Sequence, residues 1–411
     1  MEEKKLVPKL RFPGFTEPWE QRKLGDVIAS LYNGQTPSRF DKANWEGDIP
    51  WLTSGELNRG VVNHSIEKIT PQGRDDANLK IVPKGTVVIA ITGLEAAGTR
   101  GNCAKLGFDT TLNQSCMAIY PKSEFLDPDF LFQWYIAVGE EYGIKYTQGT
   151  KQQSYNAELI KILPISVPRV TEQRKITRIL DSFDDIITLH QRKLEHLKLK
   201  KKSLLQKLFP KEGEVYPELR FPGFTNPWEQ RKLGELGNVI TGNTPSTSNS
   251  QYWSQSSDGV VWITPTDINS VKTESSERKL TDMGAAEARL VPANSVLVTC
   301  IASIGKNTIN TVAAAFNQQI NAIVPDGYNS YFILSMLNNM NDAFRRVAGT
   351  SATSIVNRAE FCLLKAQIPG VDEQNEIGEF FESVDTLITL HQRKLEHLQL
   401  LKKALLQQLF V

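Results

Sequence analysis

The sequence is poor in the residues that build metal sites and redox centres. Its 411 residues include only 4 cysteines and 5 histidines. The cysteines form no CxxC pair, which argues against zinc sites and disulfide frameworks and favours a reduced, cytoplasmic protein. His190 and His196 lie six residues apart, as do His391 and His397, whereas a metal-binding pair on one helix needs i, i+4 spacing. The sequence therefore predicts no metal site, and these histidines are expected in packing or surface positions.

Long apolar runs and a strong net charge are also absent. The longest apolar stretches, such as residues 86–91, are too short to cross a bilayer. The first ten residues, MEEKKLVPKL, lack the apolar core of a secretion signal. The formal net charge of +1 neither indicates nor excludes a nucleic-acid partner. The composition, 40% hydrophobic and 23% charged, is ordinary for a globular protein with room for two or three domains.

Motifs that indicate catalysis are missing as well. The sequence contains no NPPY-type or DPPY-type tetrapeptide for amino-group methylation of a base, and no Gly-x-Ser-x-Gly elbow. Gly305 and Lys306 resemble the end of a phosphate-binding loop, but Cys300 stands where the first glycine is needed and Asn307 replaces the final Ser or Thr. A cryptic nuclease is disfavoured because no carboxylate cluster recurs in both halves. We therefore interpret the chain as a binding protein rather than a catalyst.

The sequence does contain an internal duplication. The segment ITLHQRKLEHL at 187–197 recurs unchanged at 388–398, 201 positions later. LRFPGFTEPWEQRKLG at 10–25 returns at 219–234 with one change, Glu17 to Asn226. One module has therefore been duplicated, with a similar frame and different loops. Further matches follow in the same order: GQTPS with GNTPS (34–38 and 242–246), IPWLTSGELN with VVWITPTDIN (49–58 and 260–269), and LNQSCMAIYP with FNQQINAIVP (112–121 and 316–325).

A long proline-free segment follows each module and shows the alternating 4, 3 spacing of a coiled coil. The apolar seam is broken at matching positions, by His190 and Lys201 and by His391 and Lys402. The formal charges are opposite, about +6 for 171–211 and about −3 for 372–411, which favours pairing of the two helices. The alternative is an amphipathic helix packed on a globular core. The expected seam residues are Ile176, Leu180, Phe183, Ile187, Leu194 and Leu197 in the first helix, and Ile377, Phe381, Val384, Ile388, Leu395 and Leu398 in the second.

We expect an α+β fold, with two duplicated α/β domains joined by two long antiparallel coiled-coil helices in a pseudo-twofold symmetric arrangement. Each long helix would span roughly 58 Å at about 1.5 Å per residue. The predicted domains are 1–170, 171–211 (first long helix), 212–371 and 372–411 (second long helix). Strands are expected at 86–91, 115–120, 295–301 and 320–324, and helices at 127–142 and 330–347.

These features together resemble the specificity subunit of type I restriction–modification systems. Each module ends in a pattern similar to that family's IPxxVPxxxEQxxI, here LPISVPRVTEQRKI at 163–176 and, less closely, QIPGVDEQNEI at 367–377. The junction LRFPGFTxPWEQRKLG is likewise similar. The resemblance implies that each module is a target recognition domain that reads one half of an asymmetric bipartite sequence in double-stranded DNA. The competing interpretation is a coiled-coil adaptor whose modules bind proteins rather than DNA.

The resemblance also implies partners and cofactors. The long helices would dock two modification (methyltransferase) subunits, and restriction (translocase and nuclease) subunits would join the complex. S-adenosylmethionine, ATP and Mg²⁺ would belong to those partners, so that this chain would be non-catalytic and carry no cofactor. Outside the long helices its formal charge is about −2, and we expect the partners to supply most contacts to phosphate.

Short polar side chains in the duplicated loops are candidates for DNA contacts, because they can bond phosphates and base edges. Thr-Pro-Ser and Gly-Thr are also ordinary turn sequences. Trp19, Trp228, Trp51 and Trp262 recur in frame and are expected in the core. The candidates are Thr36, Ser38, Arg39, Thr53, Ser54, Lys151, Gln152, Gln153 and Tyr155 in the first module, and Thr244, Ser246, Thr247, Thr264, Thr266, Ser351, Thr353 and Ser354 in the second.

Overall fold

The computed structural model describes residues 6–147, 153–256, 258–348 and 355–411. The chain divides into two compact units, unit one (residues 1–190 and 394–411) and unit two (residues 191–393). Each unit contains one module and a part of each long helix. Among the described residues, no helix is long and apolar enough to cross a membrane.

The module of unit one is built on mixed sheets. Strands β2, β9, β6, β7 and β4 form a five-stranded sheet in that order, β5, β3 and β8 form a second sheet, and β1 pairs with β10. The helices are α1 (Leu24–Val27), α2 (Pro71–Asp76), α3 (Pro128–Lys145), α4 (Ala157–Lys161) and the long α5 (Val170–Leu208). The strands are β1 (Glu20–Lys23), β2 (Ile28–Asn33), β3 (Trp45–Leu52), β4 (Val61–Val62), β5 (Glu67–Ile69), β6 (Val87–Ala90), β7 (Cys103–Leu106), β8 (Thr111–Leu112), β9 (Cys116–Pro121) and β10 (Pro164–Val167).

Unit two repeats this topology. Strands β12, β21, β18, β19 and β15 form a five-stranded sheet in the same order as their counterparts, and β11 pairs with β22. The second sheet has the order β13, β16, β14, β20, β17, which adds a strand at each edge. The helices are α6 (Asp282–Ala286), α7 (Ser330–Asn339), α8 (Asn341–Ala348), α9 (Arg358–Leu363) and the long α10 (Val371–Leu409). The strands are β11 (Glu229–Lys232), β12 (Gly237–Thr241), β13 (Trp253–Ser254), β14 (Val260–Ile263), β15 (Lys272–Thr273), β16 (Lys279–Leu280), β17 (Leu290–Val291), β18 (Val296–Thr299), β19 (Asn307–Asn310), β20 (Ala314–Phe316), β21 (Ile320–Pro325) and β22 (Lys365–Ile368).

The predicted duplication and the α+β class are thereby confirmed. The expected strands at 86–91 and 295–301 correspond to β6 and β18, whose residues are all buried. A continuous apolar run is typical of a central strand covered on both faces. Asp127 caps α3, because its Oδ1 accepts a hydrogen bond from the Asp129 N–H at 3.0 Å and Pro128 takes the first helical position.

The single helix expected at 330–347 is a wrong prediction. The structure has two helices, α7 and α8, which are separated at Met340. The Met340 N–H donates to the carbonyl oxygens of both Met336 and Leu337 at 3.1 Å, so the last turn tightens and the first helix ends. The surrounding sequence, Asn-Asn-Met-Asn-Asp, favours this break because short polar side chains compete for backbone hydrogen bonds.

The Glu-Gln pair at the start of each long helix is buried. In unit one, Glu172 accepts two hydrogen bonds from the Arg11 guanidinium at 2.8 and 2.9 Å. The neighbouring Gln173 donates to the carbonyl oxygens of Phe125 and Pro168. In unit two, Glu373 and Arg220 form the same ion pair at 2.7 Å, and Gln374 donates to the Pro369 carbonyl oxygen. The Glu-Gln pair therefore connects the start of each long helix to the duplicated segments at 10–25 and 219–234 and to the loop that precedes the helix.

Within each unit, residues of the two long helices pack against each other. In unit one, Ile176 and Leu180 of α5 share a buried core with Leu406 and Leu409 of α10. In unit two, Leu208 of α5 shares a core with Ile377 and Phe381 of α10. Of the predicted seam residues, Ile176, Leu180, Ile187, Leu194, Ile377 and Phe381 are buried, and Phe183, Leu197, Val384, Ile388, Leu395 and Leu398 are half-buried.

Candidate nucleic-acid interface

In unit one, the loop after β2 lies against the turn after β8. The Gln35 N–H donates to the Leu112 carbonyl oxygen at 3.0 Å, and Thr36 Oγ1 donates to Gln114 Oε1. Gly34 permits this approach, because a Cβ atom at this position would lie 2.0 Å from the Leu112 carbonyl oxygen. Gln114 is exposed, and its oxygen accepts the threonine hydroxyl while its amide nitrogen remains a donor.

The same arrangement recurs in unit two. The Asn243 N–H donates to the Phe316 carbonyl oxygen at 2.9 Å, and Thr244 Oγ1 donates to Gln318 Oε1. A Cβ atom at Gly242 would lie 2.2 Å from the Phe316 carbonyl oxygen. Each unit therefore presents an exposed glutamine whose side-chain oxygen is fixed by a threonine hydroxyl.

A tryptophan pair lies beneath this loop in unit one. The rings of Trp45 and Trp51 meet edge to face with centroids 5.1 Å apart. The Trp45 indole N–H donates to the Ser38 carbonyl oxygen, and the Trp51 indole N–H donates to the Gln35 carbonyl oxygen, each at 3.0 Å. The two buried or half-buried indoles therefore hold the loop in place from below.

An arginine lies on the tryptophan pair. The guanidinium carbon of Arg39 is 3.7 Å from the Trp45 ring centroid and 5.0 Å from the Trp51 centroid. Nη1 and Nη2 donate to the two carboxylate oxygens of Glu67, the latter at 2.8 Å. This hydrogen-bonded pair raises the pKa of Arg39 and lowers the pKa of Glu67. The Arg39 side chain is 50% exposed, so a charged and planar group faces solvent beside the duplicated loop.

Unit two has an equivalent cluster. Trp253 and Trp262 meet edge to face at 4.9 Å, and their indole N–H groups donate to the carbonyl oxygens of Ser246 and Asn243. The guanidinium carbon of Arg278 lies 3.6 Å from the Trp253 centroid and 5.5 Å from that of Trp262. Among the described residues, no carboxylate forms an ion pair with Arg278. The stacked arginine is therefore present in both units, but only the first is neutralised.

The structure gives the predicted threonines at 53 and 264 a local role. Thr53 donates its hydroxyl to Glu56 at 2.8 Å, and Thr264 donates to Asp267 at 2.6 Å. The Thr266 hydroxyl lies 2.8 Å from that of Thr264. These hydroxyls support the turns that follow β3 and β14 and can still accept a hydrogen bond from a ligand.

The other candidates divide by exposure. Arg39, Ser38, Ser246 and Thr247 are exposed, and Ser54 is half-buried. The Tyr155 side chain is only 3% exposed and lies in the core of unit one. Gln153 is half-buried, and its backbone N–H donates to Glu95 at 2.9 Å. Five candidates lie outside the described residues: Lys151, Gln152, Ser351, Thr353 and Ser354.

Several residues of these surfaces were not among the candidates predicted from the sequence. Gln114 and Gln318 were visible in the matched segments LNQSC and FNQQI, but only their packing against the loop makes them relevant. The equivalence of Trp45 in the first module and Trp253 in the second cannot be recognised from the sequence. Trp45 and Trp51 are six positions apart, whereas Trp253 and Trp262 are nine apart. The expectation that Trp19, Trp228, Trp51 and Trp262 are buried is confirmed, since each is at most 4% exposed.

Within the described ranges of the chain, no group of three His, Cys, Asp or Glu side chains is placed to hold a metal ion. The two surfaces offer planar amide, guanidinium and hydroxyl groups, and such groups are suited to recognition of base edges and phosphates.

The comparisons with known proteins agree with the duplication. The profile of the family described as "Type I restriction modification DNA specificity domain" matches residues 16–199 and 225–400. A type I restriction enzyme specificity subunit from Escherichia coli is 30% identical over 246 residues, which cover 55% of this chain and 56% of that protein. One from Methanocaldococcus jannaschii is 27% identical over 234 residues, which cover 55% of this chain and 53% of that protein. The chain thus spans about half the length of these two relatives.

A solved structure extends the likeness to the whole fold. The crystal structure of the type I restriction–modification S subunit from M. genitalium superposes with a TM-score of 0.67 at 14% identity and covers 98% of this chain and 99% of that chain. This similarity concerns the fold alone. Because the family profile matches both modules and both long helices, the chain belongs to the type I restriction modification DNA specificity domain family.

Proposed function

We propose that this chain is the non-catalytic specificity subunit of a type I restriction–modification complex and reads an asymmetric bipartite sequence in duplex DNA. The observation that supports this most directly is the recurrence of one surface in two units. Each has a glycine-dependent loop, a Thr–Gln hydrogen bond and an arginine stacked on a tryptophan pair. The frames agree while the side chains around them differ, as expected for two readers of different half-sites.

Under this proposal, residues 1–170 and 212–371 are the recognition domains, and the helices at 171–211 and 372–411 form an antiparallel coiled coil. The ion pairs within each unit support that pairing. Asp184 of α5 accepts from Lys402 of α10, and Lys201 of α5 donates to Asp385 of α10. The residue later in α5 therefore pairs with the residue earlier in α10, which is the order expected of antiparallel helices. The seam residues named above would lie at its centre.

Exposed apolar side chains on the long helices support docking of protein partners. Leu189 and Leu390 are 63% and 60% exposed, and Leu199 and Leu400 are 67% and 66% exposed. Members of each pair lie 201 positions apart, so one apolar pattern occurs twice. We assign these positions to two modification subunits, because a duplicated surface fits two copies of one partner. Restriction subunits would complete the complex, and S-adenosylmethionine, ATP and Mg²⁺ would act in these partners in the cytoplasm.

The experiment that tests this function exchanges one module. Replacing residues 22–162 with the corresponding segment of another family member should change one half of the methylated sequence and leave the other half unchanged. Methylated positions would be mapped in cells that contain the modification subunits, with and without this chain. Sequence-independent methylation, or alteration of both halves, would contradict independent reading by two modules.

The alternative is an adaptor whose modules bind proteins. The glycine loops and coiled-coil helices are compatible with it, but paired exposed glutamines and stacked arginines favour nucleic acid. The assembled complex should bind duplex DNA with sequence preference and with an affinity that falls as salt rises. An adaptor would leave the DNA affinity of the modification subunits unchanged.

A further inference from the structure

The two stacked arginines come from different places in their modules. Arg39 precedes the tryptophan pair in the chain and belongs to the loop after β2, whereas Arg278 follows the pair and immediately precedes β16. The residue aligned with Arg39 in the second module is Thr247, so the duplication did not copy this arginine. Nevertheless, both guanidinium groups lie within 3.7 Å of a matching indole. The same chemical group therefore lies over the matching indole of each module, although it comes from a different position in the chain.

Stacking on an indole prepares a guanidinium for recognition of a planar ligand. The ring fixes the plane of the guanidinium while its N–H groups point outward along the edges, and little rotamer freedom remains to be lost on binding. In unit one, Glu67 occupies the Nη1–Nη2 edge, and the edge formed by Nε and Nη2 remains open among the described contacts. In unit two, the described residues place no hydrogen-bond partner on Arg278 side-chain nitrogens. Each arginine can thus offer two parallel N–H donors.

Two parallel donors fit the O6 and N7 acceptors of guanine in the major groove. Phosphate accepts such a fork as well, but it would not require a fixed plane. Glu67 would also oppose an approaching phosphate, because its carboxylate lies beside the guanidinium. A neutral base edge does not meet this repulsion.

We propose that Arg39 and Arg278 each bind the edge of a guanine in the half-site of their own module. The proposal rests on the DNA-reading function given above and adds the residues and the base. The tryptophans act as positioning residues for the guanidinium, and Glu67 fixes the rotation of Arg39 about the indole plane. The half-site of module one and that of module two must then each contain a G·C pair.

The test uses the assembled complex with its modification subunits. Methylated sequences would be mapped for the native chain and for the variants Arg39→Lys and Arg278→Lys. Lysine keeps the positive charge but cannot supply two parallel donors, so a phosphate contact would survive the substitution and a guanine contact would not. We expect Arg39→Lys to reduce the preference for guanine at one position by about 5- to 150-fold, and Arg278→Lys to do so in the other half-site.

A matched control is present in unit one. Arg22 also lies over an aromatic ring, 5.0 Å from the Phe125 centroid, and is paired with Glu20, but it belongs to β1 at the module junction. Arg22→Lys should leave both half-sites unchanged. Thermal unfolding of each variant, compared with the native chain, separates a loss of recognition from a loss of folding. The variants Arg39→Gln and Arg278→Gln provide a second measurement, because they remove the charge and should relax the same positions.

The outcomes distinguish failure of the proposed function from failure of the guanine assignment. If the native chain directs no bipartite methylation, the proposed function itself fails. If the native motif is bipartite but unchanged in both lysine variants, or if one half-site lacks a G·C pair, only the guanine assignment is wrong. A uniform loss of affinity in the glutamine variants, with an unchanged motif and a salt dependence weaker by about one counterion, would reassign the arginines to phosphate.

Discussion

Lys201 donates to both carboxylate oxygens of Asp385 at 2.7 Å, and its side chain is only 16% exposed. The repeat of this contact, in which Lys402 donates to Asp184 at 2.6 Å, lies in the other unit. Both lysines occupy positions where the heptad pattern calls for an apolar residue. The sequence shows them as breaks in the seam, whereas in the structure each break is an ion pair between the long helices.

Substitution of Lys201 should destabilise the protein strongly. Lys201→Met leaves the Asp385 carboxylate, which is only 8% exposed, without its cation, and removal of one member of a buried pair costs about 3 kcal/mol. Urea unfolding followed by circular dichroism should show a lower midpoint for the transition that involves unit two. The control is Lys207→Met, because Lys207 and Glu218 are about half exposed and such a pair contributes at most about 1 kcal/mol.

The pair itself should be replaceable. Lys201→Met combined with Asp385→Leu removes both charges and should recover most of the lost stability, since an apolar pair avoids the desolvation of two ions. The Tyr331 hydroxyl, which donates to Asp385 at 2.7 Å, then loses its acceptor, so recovery should be incomplete. Equal unfolding midpoints for the single and double variants would show that the unpaired Asp385 carboxylate does not cause the loss of stability in Lys201→Met.

Gly34→Ala should disturb the loop of module one. The added Cβ would lie 2.0 Å from the Leu112 carbonyl oxygen, and backbone atoms must move to make space. We expect a loss of about 2 kcal/mol or more in stability, together with impaired reading of one half-site. Gly98→Ala is the matched control, because nothing lies within 4 Å of its Cβ position and no positive φ strains the backbone. If both variants unfold at the same temperature, the close approach is not needed.

Thiol labelling should distinguish the four cysteines. Cys103, Cys116 and Cys300 are buried, whereas Cys362 is half-buried. Burial raises the pKa of the Cys103 thiol to about 12 and that of Cys300 to about 11. Since the thiolate is the nucleophile, iodoacetamide at pH 8 should modify Cys362 first in the folded chain. Mass spectrometry of peptides checks the order, and all four sites should react at similar rates after unfolding in urea.

The same groups give a pH dependence. In the unfolded chain a cysteine ionises near its ordinary pKa of 9.0, whereas in the folded chain Cys103 stays protonated to about 12. The unfolded state therefore releases protons first, and stability falls as pH rises through the range between these two values. Cys103→Ser lacks this titration, so its unfolding midpoint should decline less between pH 9 and pH 11 than that of the native chain.

A circular permutation should fold. In unit one the Leu10 N–H donates to the Gln408 carbonyl oxygen at 3.0 Å, and in unit two the Leu219 N–H donates to the Lys207 carbonyl oxygen at 2.9 Å. Joining Val411 directly to Glu2 leaves 11 residues between Gln408 and Leu10, the same number that separates Lys207 from Leu219. Opening the chain at 212–214 then removes the covalent link between the first long helix and the second module. The new link between the second long helix and the first module takes its place.

The permuted chain should keep the far-ultraviolet circular dichroism of the native protein and unfold within a few degrees of it. The control opens the chain between Val88 and Ile89 with the same new junction. That cut lies inside β6, whose residues are fully buried, and should prevent folding of unit one. Loss of structure in both permutants would contradict the equivalence of the junctions.

The sequence by itself determined the duplication, the module frame and the long helices. Periodic apolar residues and repeated segments report burial along one element, because the geometry of a helix or strand fixes which residues share a face. The caps at Asp127, Asn156 and Asn357 are local in the same way, since a cap bonds backbone groups only a few positions away. Periodicity failed at Met340, where a local break competed with an otherwise helical pattern.

Only the tertiary structure decided which side chains meet at the surface. Arg39 and Arg278 occupy different positions in the two duplicated modules, yet each lies on an edge-to-face tryptophan pair. Tyr155, a candidate by its position in a polar loop, lies in the core. The acidic partners of Lys201 and Lys402 are more than 180 positions away in the chain. Such contacts depend on how loops and helices pack across the fold, and side-chain spacing along one element carries no record of that packing.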